Sequence, residues 1–465
     1  VAEKCKDNWV KLLHQEHAMV KAAFRGGRTE ARQLSFELTD EEYARGDRIR
    51  YFDVVSLYPY VQIANDYPVG SPTIYVFDEL YSPCRRHKHS ISVCTTCSPE
   101  HRFQYDGEDF GYDIKFEMND WPVEKFLDPT FGGVVYATVT APNMIHPILP
   151  LYVEQEGKEN KLVFPCGTFT SAFMAPEFKL ALENGYVINK MHCVHQYKLA
   201  PTKWDILKKL YIGKMVNSEA APPKEEWQEM IDYYEDNFEM GDEVRKSLEN
   251  NEWGNNPAVK QTYKILLNSM WGKHAENPVK DQMKVYDYKN KNDQEKADEL
   301  FLNVSQNNYE LKTVIPLAEE RFLYRFQVNG QDMKADLSKT YLPAAAYVTC
   351  YGRIKLWKMM NLYGKDLLYN DTDSVFVRTR AGEPDKFTAC EYWGGWKEEG
   401  PSKQGIKKII CFAAKCYGFK LFNGDEKIRA KGLSLKYGVS KLINFDIMEK
   451  LMNNTLAIEI GRAHV

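Results

Sequence analysis

Asp371 and Asp373 stand two residues apart in LLYNDTDSVFV (367–377), where strand-like apolar runs flank Asn370-Asp371-Thr372-Asp373. Four small polar residues of this kind turn a chain back on itself, so a tight hairpin with two carboxylates at its tip is expected. Like charges that close repel. A metal ion, a helix N-terminus or plain exposure to water could each make the arrangement tolerable. Asp53 adds a third carboxylate at the end of an apolar strand in YFDVVSLYPYVQ (51–62). A buried strand aspartate is costly unless paired or bound to a cation, although Asp also caps helices and turns.

The helix expected over AVKQTYKILLNSMWGK (258–273) carries Lys260, Lys264, Asn268 and Gly272 at four-residue spacing, hence along one face. Tyr263, Leu266, Leu267 and Met270 are expected on the other. Two cations, an amide and a bare glycine on one stripe suit a polyanion lying along the helix, with Gly272 admitting something flat. A solvated face would account for the lysines but not for Asn268 and Gly272. Together, three carboxylates and this stripe describe a two-metal phosphoryl-transfer site. Carboxylates on adjacent strands would hold two Mg²⁺ ions about 4 Å apart, and the lysines would neutralise a triphosphate as charge moves onto it. The separation of Asp53 from Asp371 (371 − 53 = 318 residues) is no obstacle, since strands distant in sequence can be neighbours in a sheet.

The elements that must position these groups read as α/β in composition. At 465 residues, two to four subdomains are expected, and an apolar fraction of 44% with 13% aromatics describes a folded chain. No stretch approaches about 18 consecutive apolar residues, so no membrane span and no membrane partner are expected. Ten scattered cysteines favour free thiols in a reducing, intracellular compartment; nucleus, viral factory and mitochondrion are not distinguished. The net charge of −4 conceals a division: residues 225–252 carry eleven Asp/Glu against two Lys/Arg, and residues 401–441 carry ten Lys/Arg against two Asp/Glu. The basic stretch is a face for nucleic acid, and solvated helices account for the acidic one. Along the chain, 3–24, 176–186, 204–253, 257–273 and 341–364 read as helical. Residues 50–63 read as a strand running into a turn and a helix, 131–165 as short strands, and 280–340 as short strands with polar connections.

Three segments taken together resemble motifs A, B and C of family B DNA polymerases, in that order: DVVSLYP (53–59), KILLNSMWG (264–272) and YNDTDS (369–374). FRGGRT (24–29) resembles the YxGG motif of the protein-primed branch, with Phe24 where Tyr is usual. KCY (415–417) resembles its KxY motif, and KGLSL (431–435) a segment that often follows. The long region between A and B, including GTFTSAFMAPEFKLALENGY (167–186), is similar to the insertions of polymerases from transposons, viruses and linear plasmids. The resemblance runs from about residue 20 to 440. It implies a right-hand fold with an antiparallel α+β palm, helical fingers and insertions, and a DNA polymerase as the activity.

The resemblance also implies roles. Asp53 and Asp373 would be the principal Mg²⁺ ligands, Asp371 assisting and the Val54 carbonyl completing one shell. Ser56 and Leu57 would line the nucleotide site, and Tyr58 would stack under the incoming sugar and reject a 2′-hydroxyl. Lys264 would hold the triphosphate with Lys260 one turn away, while Asn268 and Gly272 line the nascent base pair. Arg25, Gly26, Gly27, Lys415, Tyr417 and Lys431 would meet primer or template DNA. Trp271 stands where Tyr is common, a conservative change in shape. The implied partners are primer-template DNA, deoxynucleoside triphosphates and a terminal priming protein. The implied division is 1–74 for the YxGG-like motif and first palm part, 75–200 for an insertion, 201–275 for fingers, 276–340 for a second insertion, 341–440 for palm and 441–459 for the start of a thumb.

In CRRHKHSISVCTTCSPEH (84–101), Cys84, Cys94, Cys97 and His101 stand at zinc-ligand spacing, with His87 and His89 as rivals. A structural zinc knuckle is one reading; a basic loop touching DNA phosphates through Arg85, Arg86 and Lys88 is the other. The charged start VAEKCKDNW, without Met, reads as an internal fragment. Ile460–Val465 matches one reading frame of a common sequencing adapter and is set aside as an artefact. An upstream proofreading exonuclease and most of the thumb are therefore expected to lie outside this chain, which puts its activity as it stands in question. A catalytically silent DNA-binding scaffold is the competing reading, against which the intact Asp53, Asp371, Asp373 and Lys264 weigh. A reverse transcriptase or RNA polymerase is a third; Thr372 between the aspartates and Tyr58 weigh against it.

Overall fold

The structure, a computed structural model, describes residues 19–77, 114–117, 119–153, 160–201, 205–218, 220–276, 281–328, 341–431 and 443–453. The cysteine cluster at 84–101 and the adapter-like end lie outside the described residues.

The central sheet has five antiparallel strands in the order Thr29–Ala31, Leu367–Asp371, Ser374–Thr379, Arg48–Val54, Trp396–Glu398. Its two middle strands read as unbroken apolar runs because both faces are covered. One face meets the helix Leu342–Tyr363, with Phe52, Val375 and Val377 against Leu356, Met359 and Met360. The other packs Tyr369 and Phe376 against Ile409, Tyr417 and Phe419 of a four-stranded sheet formed by Glu426–Ala430, Cys416–Leu421, Ile406–Ala413 and Ser35–Glu37. The basic stretch at 401–441 thus belongs largely to this second sheet.

Leu342–Tyr363 starts with Pro343 in its first turn and ends at Gly364. Sixteen of its 22 residues are buried, so it lacks the one-sided pattern of a surface helix. Its N-terminal half reaches a third sheet, ordered Ile114–Phe116, Asp66–Val76, Val187–Pro201, Gly132–Ala141, Gly167–Met174. The helix Ala175–Glu183 packs between this sheet and the central helix.

The expected helical region at 204–273 resolves into Asp205–Val216 packed on Pro257–His274, and the antiparallel pair Trp227–Phe238 and Gly241–Glu249. Their shared core is aromatic: Trp393, from the loop after the central strands, stacks on Tyr211 at 4.1 Å and on Phe238 at 4.8 Å. Residues 281–328 form a three-stranded sheet, as expected, but also a 15-residue helix, Lys291–Ser305, capped by the Asn290 side chain. That helix escapes a reading by apolar period because only Ala297 and Leu300 are buried in it. Among the described residues no helix is long and apolar enough to cross a membrane.

His195 is buried at the middle of the strand Val187–Pro201, and its Nδ1 has no hydrogen-bond partner. Burial holds its imidazole down to about 4, against an ordinary value near 6.5. The neutral ring favours the folded state above about pH 6.5, and that contribution disappears as pH falls toward 4, worth up to about 3 kcal/mol. Unfolding free energies measured by urea titration at pH 7 and pH 4.5 are expected to show this drop, and His195→Leu to flatten it. An unchanged pH slope in His195→Leu would refute the assignment.

Candidate active site

Backbone register brings Asp53 and Asp373 together. Ser374 is the cross-strand partner of both Asp53 and Asp371, and the Val54 amide donates to the Asp373 carbonyl at 2.8 Å. Asp373 sits in the two-residue turn of the hairpin, after Thr372 in the left-handed region (φ 59°). Both carboxylates line an open cleft of about 1250 Å³ whose opposite wall carries Lys214, Lys260, Lys264 and Asn268. Burial raises the Asp53 carboxyl well above the usual carboxylate range, and the neighbouring Asp373 and Glu399 raise it further against the pull of Lys264 and Lys214. Asp373 is raised by burial first and by Asp371 second. Both groups therefore resist carrying negative charge until a cation joins them.

Asp371 is differently placed. Its Oδ1 accepts from Thr29 Oγ1 at 2.8 Å and from Lys415 Nζ at 2.5 Å, and it does not line the cleft. Among the described residues no group of three or more His, Cys, Asp or Glu is placed to hold a metal ion. The oxygen donors at this end of the cleft are the carboxylates of Asp53 and Asp373, with Glu399 close enough to act on Asp53. Hard oxygens in this small number suit Mg²⁺, which keeps waters and takes substrate phosphates as further ligands. The residues present fit the ion.

The helix Pro257–His274 begins at Asn256, whose side chain accepts from the Val259 amide, with Pro257 in its first turn. Lys264 and Asn268 are exposed toward the cleft, and a Cβ on Gly272 would meet nothing within 4 Å, so the chain itself does not require glycine there. The opposite face departs from expectation: Leu267 is buried and Tyr263 lies over Gly213, but Ile265 and Leu266 are exposed. Trp271 donates its Nε1 to the Ala345 carbonyl at 3.0 Å and packs on Tyr58, ring centroids 4.9 Å apart. Tyr58 is thus held between the central helix, at Gly352, and the helix Pro257–His274. Ser56, with φ 54°, turns the chain from the Asp53 strand into the helix Leu57–Ala64, and Leu57 is buried beneath it.

Lys214 is the site residue that motif reading passes over. It donates to Ser56 Oγ at 2.5 Å, and burial, with Lys264 and Lys260 adding to it, pushes its ammonium down to about 8. A signal existed: Leu207, Tyr211, Lys214 and Ser218 follow a core-facing helical spacing, and a lysine on such a stripe calls for a polar destination.

The residues expected at DNA divide. Arg25 is buried, its Nη2 donating to Ser171 Oγ at 3.3 Å and its guanidinium over the Tyr152 ring at 4.6 Å. Gly26 is open, but Gly27 is not: a Cβ there would stand 2.7 Å from Thr372 Cγ2 and Oγ1. On its Cβ side Gly27 lies directly against the turn of the hairpin that carries Asp371 and Asp373. Tyr417 is largely buried against Tyr369 and Phe376. Lys415 is half exposed and paired with Asp371, and Lys431 is exposed, its amide bonded to the Lys415 carbonyl.

Residues 2–107 match the family model described as DNA polymerase type B, organellar and viral, a span that includes Asp53 and Tyr58. No curated protein matches the chain. Among solved structures it is similar to Phi29 DNA Polymerase in an orthorhombic crystal form, at 14% identity and a TM-score of 0.54, over 92% of this chain and 57% of that one. It is similar also to Phi29 DNA polymerase complexed with primer-template DNA and incoming nucleotide substrates, at 14% identity and a TM-score of 0.53, over 93% and 57%. The chain thus spans under two thirds of the length of these polymerases. The family match takes in the first of the three motifs, and the likeness to these structures extends the agreement to the fold, a right-hand arrangement with an antiparallel palm.

The division among the aspartates is testable by Mn²⁺ titration of the purified chain. Asp53→Asn and Asp373→Asn are each expected to weaken binding about tenfold or more. Asp371→Asn, which removes a carboxylate already held by Lys415 and Thr29, is expected to cost less than about threefold. Equal weakening by all three would show that Asp371 is a direct ligand.

Proposed function

We propose that this chain, which has the fold of a type B DNA polymerase, adds deoxynucleotides to a 3′-hydroxyl under the direction of a DNA template. One observation carries the reading: Asp53 and Asp373, 320 residues apart (373 − 53), meet at the floor of a cleft faced by Lys214, Lys260 and Lys264. Bound between these carboxylates, Mg²⁺ ions would activate the attacking hydroxyl and stabilise the leaving pyrophosphate.

The chain's own residues supply the rest. Asp53, Asp373 and the Val54 carbonyl would hold the cations. Lys264 and Lys260, one turn apart, take the triphosphate charge, and Lys214 reaches the same place from the neighbouring helix. In the present structure Lys214 rests on Ser56, a bond that an arriving phosphate can replace. Tyr58, braced by Trp271 and the central helix, lies under the sugar, where its rigid ring excludes a 2′-hydroxyl. Asn268 and Gly272 face the new base pair. Lys415 and Lys431 remain accessible for a nucleic-acid backbone. Primer-template DNA and deoxynucleoside triphosphates are the substrates. A protein primer belongs to the same reading, supported by the FRGGRT and KCY segments both reaching Asp371, through Thr29 and Lys415.

Primer extension with Mg²⁺ tests the proposal. Asp373→Ala is expected to lower the rate by a factor of about a thousand or more, and extension that survives it overturns the mechanism. Lys214→Met is expected to raise the KM for deoxynucleotide about tenfold, the value of one charge-assisted contact. Tyr58→Ala is expected to raise ribonucleotide incorporation; unchanged discrimination would remove the steric role.

A further inference from the structure

Between the carboxylate hairpin and the third sheet lies a layer of buried guanidinium groups. Arg353, on the central helix, is 3% exposed and grips Glu177 bidentately, at 2.7 and 2.6 Å. Its Nη1 donates to the carbonyls of Arg25 at 2.5 Å and Gly26 at 2.9 Å. Arg28 is 1% exposed and is directed toward the insertion side, donating to the Pro147 carbonyl at 2.6 Å with its guanidinium over the Phe164 ring at 3.9 Å. The backbone of the same segment serves the hairpin. The Arg28 carbonyl accepts from the Thr372 amide at 2.8 Å and from Asn370 Nδ2 at 3.2 Å. Gly27 lies against the Thr372 side chain with no room for a Cβ. Residues 25–28 are thus clamped between Arg353 on one side and the turn that carries Asp373 on the other.

We infer that Arg353, oriented by Glu177, is a positioning residue for the reaction: it sets the height of residues 25–28 and, through the Arg28 carbonyl, where the hairpin presents Asp373 beside Asp53. Stability alone is a poor account of the pair, because a buried ion pair is often no better than apolar residues of the same volume. Geometry is the better account. Four acceptor atoms on two different elements must be met in fixed directions, which a planar guanidinium can do and an ammonium cannot. Arg353 does not line the cleft, so it acts through the segment it holds and not on the substrate. An error of about 1 Å in a reacting group costs on the order of a hundredfold in rate, so a small slack in this clamp would be felt at the metal ligands.

The kinetic part of this inference rests on the polymerase reading; the structural part does not, and the two are tested separately. Hydrogen exchange followed by mass spectrometry compares the unsubstituted chain with Arg353→Lys. Exchange in the hairpin peptide 367–377 is expected to quicken about tenfold or more, while the strand Ile406–Ala413 stays within about twofold. In primer extension the same variant is expected to lower kcat about tenfold or more, with the KM for deoxynucleotide within about twofold. Gly27→Ala, which leaves the ion pair intact and presses on Thr372, is expected to reproduce both effects. Unchanged hairpin exchange in Arg353→Lys overturns the inference, and so does a rise shared equally by hairpin and strand, which would mark general destabilisation. If Arg353→Lys does not fold, Gly27→Ala decides alone, and unchanged hairpin exchange there overturns it. A chain that extends no primer before any substitution sinks the polymerase reading and leaves the exchange result standing.

Discussion

Two carboxylates kept close together and largely out of water are the constraint on which the rest of the structure turns. Left alone, Asp53 and Asp373 would favour protonation or a parting of their strands, since burial and mutual repulsion both act against their charge. The fold opposes parting with backbone. Asp53 is paired in register with Ser374, and the Val54 amide bonds the Asp373 carbonyl, so neither side chain can withdraw without breaking the sheet. Three lysines balance the charge: Lys264 and Lys214 from the helical wall, and Lys415 at Asp371. Pairing Asp371 with Lys415 keeps the third carboxylate from adding fully to the repulsion between Asp53 and Asp373.

A hairpin under that electrostatic load needs a rigid support, and the molecule builds one from charged residues placed where apolar ones would be cheaper. Arg25, Arg28 and Arg353 are all buried between the central helix and the third sheet. Burial pushes the Arg25 guanidinium down to about 10, and the Nη2 of Arg28 has no hydrogen-bond partner. Buried guanidinium groups of this kind carry a desolvation cost. What they supply is direction: each holds carbonyls or rings at defined angles, and the segment between them can be extended, glycine-bearing and still immobile. The two faces of the segment do different work, side chains holding the insertion and backbone holding the hairpin.

The sequence displayed the parts of this arrangement that local chemistry defines. Apolar runs on either side of small polar turn residues mark the hairpin at 367–377, four-residue spacing marks Lys260, Lys264 and Asn268, and sheer apolar length marks the helix at 342–363. What stayed hidden depends on partners distant in the chain. Arg25 is expected at DNA, and Arg28 draws no notice, because nothing nearby in the sequence reveals Ser171, Pro147 or Phe164. Glu177 and Arg353 lie 176 residues apart, and neither stands out in its own helix. Trp393 reads as a loop aromatic until the helices around Tyr211 and Tyr234 close over it. Motif resemblance singled out residues 24–29 but not the contact of Gly27 with Thr372, which lies 345 residues away in the sequence (372 − 27).

The uneven charge of the chain acquires a meaning once the cleft is in view. The acidic stretch lends Glu226 and Glu229 to the wall, beside Tyr392. Lys214, Lys260 and Lys264 gather beside Asp53, while Lys397 is already paired with Glu391 at 2.9 Å. An anion entering such a cleft meets these three lysines on one stretch of wall and glutamates on another, and low-dielectric walls strengthen both effects. A phosphate would be drawn toward Lys214, Lys260 and Lys264 and turned away from Glu226 and Glu229. A net charge of −4 is therefore compatible with an anionic substrate: what governs binding is the separation of opposite charges across one cavity, and the folding of residues 225–252 beside residues 257–273 creates that separation.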